Sequence, residues 1–166
     1  SFPTRRSSDL YDYKIYNEWL DENVFSIGFF GKTANSLAGK DIKLSDRLFL
    51  PSSKLRGFES GKVGPKDGAD FIGGNYAASI NIATSLSQIL PNSQNTNFSI
   101  FFDAANVWGI DYSSSLSDES KIRSSIGIAL DYLTPIGPLS FSLSEPITKG
   151  KNDITESFRF NLGTTF

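Results

Sequence analysis

Apolar and polar residues alternate along most of the chain with a period of two, and no sustained period of 3.6 indicates a long amphipathic helix. In residues 154–166, apolar side chains occupy one face of the segment while Ser, Thr, Asn, Arg and Gly residues occupy most of the other. Segments of this kind recur and predict eight β-strands. The predicted strands cover residues 11–19, 25–29, about 46–54, 75–87, 97–108, 122–132, 139–144 and 154–166.

The lengths and the polar faces of these strands favour a membrane barrel. Several strands have 9–13 residues, whereas strands of soluble proteins usually have about 5–6 and a tilted strand of about 9–11 crosses a bilayer. Their polar faces carry mainly Ser, Asn, Gly and Thr, which suits a wet lumen. We therefore predict an all-β, antiparallel transmembrane β-barrel. A soluble β-sandwich or jelly roll is the competing fold, and it would show larger charged residues outside.

The connections between the predicted strands differ in length. Residues 134–138 (Thr-Pro-Ile-Gly-Pro) form a tight turn, whereas residues 57–72, 108–121 and 147–153 are longer connections. If the tight turn faces the periplasm, the three longer connections all lie on the extracellular side. Outer-membrane barrels show this asymmetry.

The composition excludes several classes of chemistry. The 166 residues include no Cys, His or Met, and the formal net charge is −2. Without Cys and His there is no disulfide, no thiolate or imidazole metal site and no catalytic triad that depends on His. We therefore predict neither an enzyme nor a metal or cofactor site. The small negative charge gives no indication of a nucleic-acid partner.

The first ten residues, Ser1–Leu10, differ from the remainder of the chain. They lack strand alternation and the apolar run of a signal peptide, and the chain does not start with Met. We expect this segment to be a non-native leader and the chain to be a fragment. The fold prediction therefore rests on residues 11–166.

The segment Leu55–Phe58 (Leu-Arg-Gly-Phe), followed by Gly64 and Pro65, resembles the loop motif of the BamA family of outer-membrane protein insertases. The resemblance implies a 16-stranded barrel, of which residues 11–166 form the C-terminal portion with its last eight strands. Five further segments match the family in the family's order. They are Gly73–Asn75, Phe101–Trp108, Ile122–Gly127, Thr134–Leu139 and Phe158–Phe166.

The resemblance also implies a function. Members of this family fold and insert β-barrel proteins into the outer membrane of Gram-negative bacteria through a lateral seam, without enzymatic chemistry or a cofactor. The implied partners are unfolded barrel clients, outer-membrane lipid and accessory lipoproteins, which bind mostly to periplasmic domains upstream. The alternatives are a two-partner secretion or TamA-like translocation barrel and a complete eight-stranded structural barrel. An outer-membrane enzyme is disfavoured because the chain lacks His.

In this family the loop that carries the motif folds back into the barrel lumen. The resemblance therefore implies that Arg56 pairs with Asp103, which the alternation places on the polar face. It further implies that Gly57 lets the backbone turn and that Phe58 anchors the loop tip. Alternatively, the motif is an exposed loop and Asp103 is a solvated carboxylate.

One feature of the family is missing. Family members often have a Glu that faces the loop Arg, but no acidic residue lies between Gly73 and Gln88, and Ala83 is near the matching position. Either Asp103 holds the loop Arg alone, or another acid such as Asp131 substitutes.

The C-terminal segment carries a second set of candidate residues. Its alternating apolar residues and terminal aromatic match the signal by which outer-membrane barrels are recognised for insertion. In the family this strand pairs weakly with the first strand and parts from it, which exposes an edge to clients. Gly163 lies where the strand kinks inward. The apolar residues of this set are Phe158, Phe160, Leu162 and Phe166.

Overall fold

The computed structural model describes residues 6–20, 23–36, 42–89, 95–110, 116, 118, 120–135 and 137–163. These residues form one seven-stranded antiparallel sheet and a separate two-stranded hairpin. The main sheet has the order β1-β2-β5-β6-β7-β8-β9, so its strands follow chain order and the hairpin β3-β4 lies in the connection between β2 and β5. The strands are β1 Arg6–Leu20, β2 Asn23–Ser36, β3 Lys66–Asp67, β4 Asp70–Phe71, β5 Tyr76–Ser85, β6 Thr96–Trp108, β7 Arg123–Thr134, β8 Gly137–Thr148 and β9 Phe158–Leu162.

The exposure of the two faces of the sheet is the reverse of that in a soluble protein, because the polar face is buried and the apolar face is exposed. We call the face covered by residues 42–75 the inner face and the opposite one the outer face. On β6 the inner residue Asp103 is 0% exposed, whereas the outer residue Ile100 is 40% exposed. A bilayer stabilises this arrangement, because lipid covers the apolar side and the polar side faces the lumen. Other exposed apolar residues of the outer face include Phe29, Ile80, Ile126, Ile128, Leu143, Phe158, Phe160 and Leu162.

The apolar core lies between the inner face and the connection from β2 to β5. Alanines on β2, β5 and β6 leave room for this connection to approach the sheet, and its leucines and Phe58 fill the space. The clustered residues are Phe30, Ala34, Leu48, Leu50, Leu55, Phe58, Val63, Ala77, Ala105 and Val107. The long connection is therefore part of the folded structure.

The all-β antiparallel prediction is confirmed, but the strand expected over about residues 46–54 is wrong. That segment contains parts of two 3₁₀ turns, Leu44–Asp46 and Ser52–Lys54, and only Leu48 makes a bridge, to Gly74. Leu48 and Leu50 are buried while Phe49 is exposed. Their alternation therefore reflects packing on the inner face, where no neighbouring strand is available for pairing.

Both terminal strands have different limits from those predicted. Strand β1 begins at Arg6, inside the segment excluded from the fold prediction, and Arg6 pairs with Ser36 of β2. The final strand was expected over residues 154–166; among the described residues it covers Phe158–Leu162, and residues 164–166 lie outside the described part of the chain. Residues 154–156 bond instead to the connection: the Glu156 N–H donates to the Gly57 carbonyl at 3.0 Å.

The sheet is open in the described part of the chain. Strand β1 pairs only with β2 there, and β9 pairs only with β8. Among these residues no helix is long and apolar enough to cross a membrane.

Candidate functional site

An ion pair joins the long connection to the inner face of the sheet. Arg56 Nε donates to Asp103 Oδ2 at 2.7 Å, and Arg56 Nη2 donates to Asp103 Oδ1 at 2.7 Å. The backbone N–H of Arg56 donates to Oδ2 as well, at 3.0 Å. The Asp103 side chain is fully buried, whereas that of Arg56 keeps 21% of its exposure. The two-pronged geometry fixes both the position and the orientation of the guanidinium group.

The surroundings of the ion pair supply further contacts. The Arg56 guanidinium carbon lies 3.4 Å from the ring centroid of Phe101, which gives a cation–π contact. Ser125 on β7 donates its hydroxyl to the Arg56 carbonyl. The strands β6 and β7 therefore hold both the side chain and the backbone of Arg56.

An amide side chain, not a second carboxylate, contacts the ion pair. Asn81, directly opposite Asp103 in the β5–β6 register, donates from Nδ2 to Asp103 Oδ1 at 2.8 Å and to the Lys54 carbonyl at 2.9 Å. Asp131 accepts a hydrogen bond from Ser140 at 2.6 Å. It lies six residues along β7 from Ser125, about 20 Å away, so it is not the substitute partner of Arg56.

Gly57 and Phe58 hold the loop close to the sheet. Gly57 has φ +89°, and a Cβ at this position would lie 3.0 Å from Ser125 Cβ. Glycine therefore meets both a conformational and a steric requirement here. Phe58 is 1% exposed and bridges to Thr155 in the segment before β9.

Gly64 and Pro65 lie further along the same connection. Gly64 has φ +102°, and a Cβ there would come within 3.1 Å of Val107 Cβ on β6. Pro65 is fully buried, and its carbonyl accepts the Ile72 N–H at 3.1 Å. The motif residues thus form one packed loop on the inner face, and the alternative of an exposed loop is wrong.

A second buried ion pair was missed at the sequence level. Arg123 Nε donates to Asp153 Oδ2 at 2.8 Å, and both side chains are 1% exposed. Arg123 Nη1 also donates to Asn106 Oδ1 at 2.7 Å. The isolated Arg123 among the small residues that start β7 was a possible signal, but nothing local indicates Asp153 as its partner.

A third arginine, also missed, links the final strand to the loop. Arg159 of β9 is 8% exposed. Its guanidinium donates to the Ser52 carbonyl at 2.6 Å and to the Phe58 carbonyl. The position of this arginine between Phe158 and Phe160 indicates an inward side chain, but the two carbonyls that it bonds lie about a hundred residues away in the sequence.

The remaining candidate residues lie at the C-terminal edge. Phe158, Phe160 and Leu162 are 55%, 49% and 60% exposed on the outer face. Gly163 has φ +97°, and its N–H donates to the Pro138 carbonyl at 3.0 Å. Phe166 lies outside the described residues. No group of three carboxylates in the described chain is arranged to hold a metal ion.

The chain is similar in sequence and in structure to known proteins. A family model described as the Omp85 superfamily domain matches residues 8–166. The chain belongs to the Omp85 superfamily. Within the superfamily it is 31% identical to the outer membrane protein assembly factor BamA of Neisseria meningitidis serogroup B, across 92% of this chain and 22% of that protein. It is 25% identical to BamA of Neorickettsia risticii, across 78% of this chain and 18% of that protein.

Two further members of the superfamily extend the comparison. A SAM50-like protein of Schizosaccharomyces pombe is 30% identical across 80% of this chain and 29% of its own length. The crystal structure of BamA from Haemophilus ducreyi lacking POTRA domains 1–3 matches with a TM-score of 0.85 and 27% identity, across 95% of this chain and 34% of that one. The resemblance to the BamA family and the barrel fold are confirmed, and the chain spans about a fifth of its bacterial relatives' length.

Proposed function

We propose that this chain forms part of the barrel of a protein that folds and inserts β-barrel proteins into the outer membrane through a lateral seam beside β9, without a catalytic step. The protein lies in the outer membrane of a Gram-negative bacterium. The proposed partners are unfolded barrel clients, membrane lipid and accessory lipoproteins. Three of its relatives are named outer membrane protein assembly factors, which favours assembly over secretion.

The similarity to named assembly factors carries this proposal, and β9 is the strand assigned to the seam. In the described chain β9 has five residues paired with β8, fewer than any other strand of the main sheet. A client strand in lipid must satisfy all its backbone N–H and C=O groups, and an unpaired strand edge offers matching groups by β-augmentation. The edge would let a client form its hydrogen bonds as it enters the bilayer.

The loop that carries Arg56 has a supporting role in the proposal. Through Asp103 and Ser125 it is fixed to β6 and β7, and through Phe58 it contacts the segment before β9. We propose that the loop stabilises the barrel wall while the seam opens. Phe158, Phe160 and Leu162 would meet lipid or client on the outer face, and Gly163 would permit the inward kink.

Reconstitution tests the proposal. The natural protein that contains this chain is placed in vesicles with an unfolded client barrel, and insertion is followed by heat-modifiable gel mobility and protease protection. We expect faster client insertion than in empty vesicles, and slower insertion with Asp103→Asn than with the matched Asp118→Asn, a change in the connection between β6 and β7. Client insertion at the empty-vesicle rate would contradict the proposal, and export of a soluble passenger instead would favour the translocation barrel.

A further inference from the structure

The strand that pairs with β9 has a repetitive sequence, which specifies the register of β9 only weakly. On β8 the inner residues opposite β9 are Ser140 and Ser142, and Ser144 continues the series. The outer residues of both strands are Leu or Phe throughout the paired segment. A shift of two residues toward Ser144 would again place Asn161 and Arg159 opposite serines. Among the outer residues of β9, only Phe158 would then meet a different kind of neighbour, Glu145. Strands with such uniform faces are prone to slip.

Arg159 breaks this uniformity. It stands opposite Ser142 in the register, and its guanidinium donates to the carbonyls of Ser52 and Phe58 and to Glu156 Oε2 at 2.7 Å. A slip of one residue would turn the charged group to the outer face, where lipid opposes it. A slip of two residues would move it about 7 Å along the strand, away from both carbonyls.

We propose that Arg159 is a positioning residue that sets the register of β9 by fastening it to the loop that carries Arg56. The Glu156 carboxylate, whose side chain is 40% exposed, accepts from the Arg159 guanidinium. The bond from Glu156 to the loop is made by its backbone N–H, which donates to the Gly57 carbonyl, so Glu156→Gln keeps that bond. The register decides which backbone groups β9 presents at its free edge. The effect of the register on clients rests on the proposed function. The role of Arg159 in setting the register does not.

Cross-linking of introduced cysteine pairs measures the register. The chain has no Cys of its own. In the natural protein that contains it, Asn161→Cys is combined with Ser140→Cys for the observed register, or with Ser142→Cys or Pro138→Cys for a two-residue slip in either direction. Each pair is oxidised in folded protein in vesicles, in four backgrounds: unchanged, Arg159→Met, Arg159→Lys and the control Glu156→Gln.

We expect the observed-register pair to dominate in the unchanged and Glu156→Gln backgrounds. Arg159→Met should raise the ratio of slipped to observed cross-link about tenfold, as loss of one hydrogen bond to a charged group would. In Arg159→Lys the ratio of slipped to observed cross-link should lie between those of the unchanged protein and Arg159→Met. The lysine ammonium group keeps the charge but lacks the planar geometry of the guanidinium group. An unchanged ratio in folded Arg159→Met protein overturns the proposal, and if that variant does not fold, an unchanged ratio in Arg159→Lys does so.

Client insertion by the same preparations separates the two proposals. If the unchanged protein fails to insert clients while Arg159→Met shifts the cross-links, the register role stands and the assembly function fails. If clients insert and the cross-link ratio does not move, the assembly function stands and the register role is wrong.

Discussion

Removing the Arg56 side chain should lower the free energy of unfolding more than removing the Asp103 side chain. Arg56→Ala leaves the Asp103 carboxylate fully buried with the Arg56 backbone N–H and Asn81 as its remaining donors. Removing one partner of a buried ion pair costs about 3–5 kcal/mol, because the remaining charge has no counter-charge. Asp103→Ala leaves a guanidinium that is 21% exposed and stacked on Phe101. Water can reach that group, so we expect about 1–3 kcal/mol, the cost of an unsatisfied hydrogen-bonding group.

The double variant tests this reasoning. Arg56→Ala with Asp103→Ala removes both charges, so its cost should fall short of the sum of the single costs by about 2–3 kcal/mol. The assay is urea unfolding of the natural protein in lipid vesicles, with the slope on urea concentration checked for equality among the variants. Additive single costs would show that the two groups do not depend on each other for stability, and would refute the role assigned to the pair.

Three further changes probe other parts of the structure. Gly57→Ala should destabilise the barrel by about 1–2 kcal/mol because of its left-handed backbone and the nearby Ser125. The control Gly31→Ala, with no atom within 4 Å of the new Cβ, should not destabilise it, and urea unfolding compares the two variants. Ile128→Arg on the outer face should cost about 2–4 kcal/mol in vesicles, and a cost within about 0.5 kcal/mol, typical of a water-exposed site, would contradict a lipid-facing surface. Asp153→Asn should free the connection between β8 and β9, and faster trypsin cleavage after Lys149 or Lys151 checks this.

The alternation along the chain was sufficient to predict the sheet because the side to which each strand residue points is set locally. It placed Asp103 on the inner face and Ile100 on the outer face, as observed. The same signal failed at residues 46–54, where Leu48 and Leu50 alternate with Phe49 but have no strand beside them. Alternation reports which side is buried, and pairing depends on neighbours that the segment itself does not specify.

The candidate site was only partly predictable for the same reason. Arg56 and Asp103 were linked through the family resemblance, since they are 47 residues apart and no local pattern joins them. Asn81 and the partners of Arg123 and Arg159 were missed because each contact depends on strand register or on how a connection folds onto the sheet. The sequence shows an arginine on the inner face of a predicted strand, but it does not show which carbonyl or carboxylate that arginine contacts.

Capture of a client at β9 tests the central claim most directly. A photo-reactive residue at Asn161, on the strand at the open edge, is compared with one at Ser99, in the interior of the sheet on β6. Both are introduced into the natural protein in vesicles during client insertion. We predict a cross-link from position 161 to a client strand that appears as insertion begins and fades as insertion ends, and none from position 99. Normal client insertion with no cross-link from position 161 would contradict assembly through this edge.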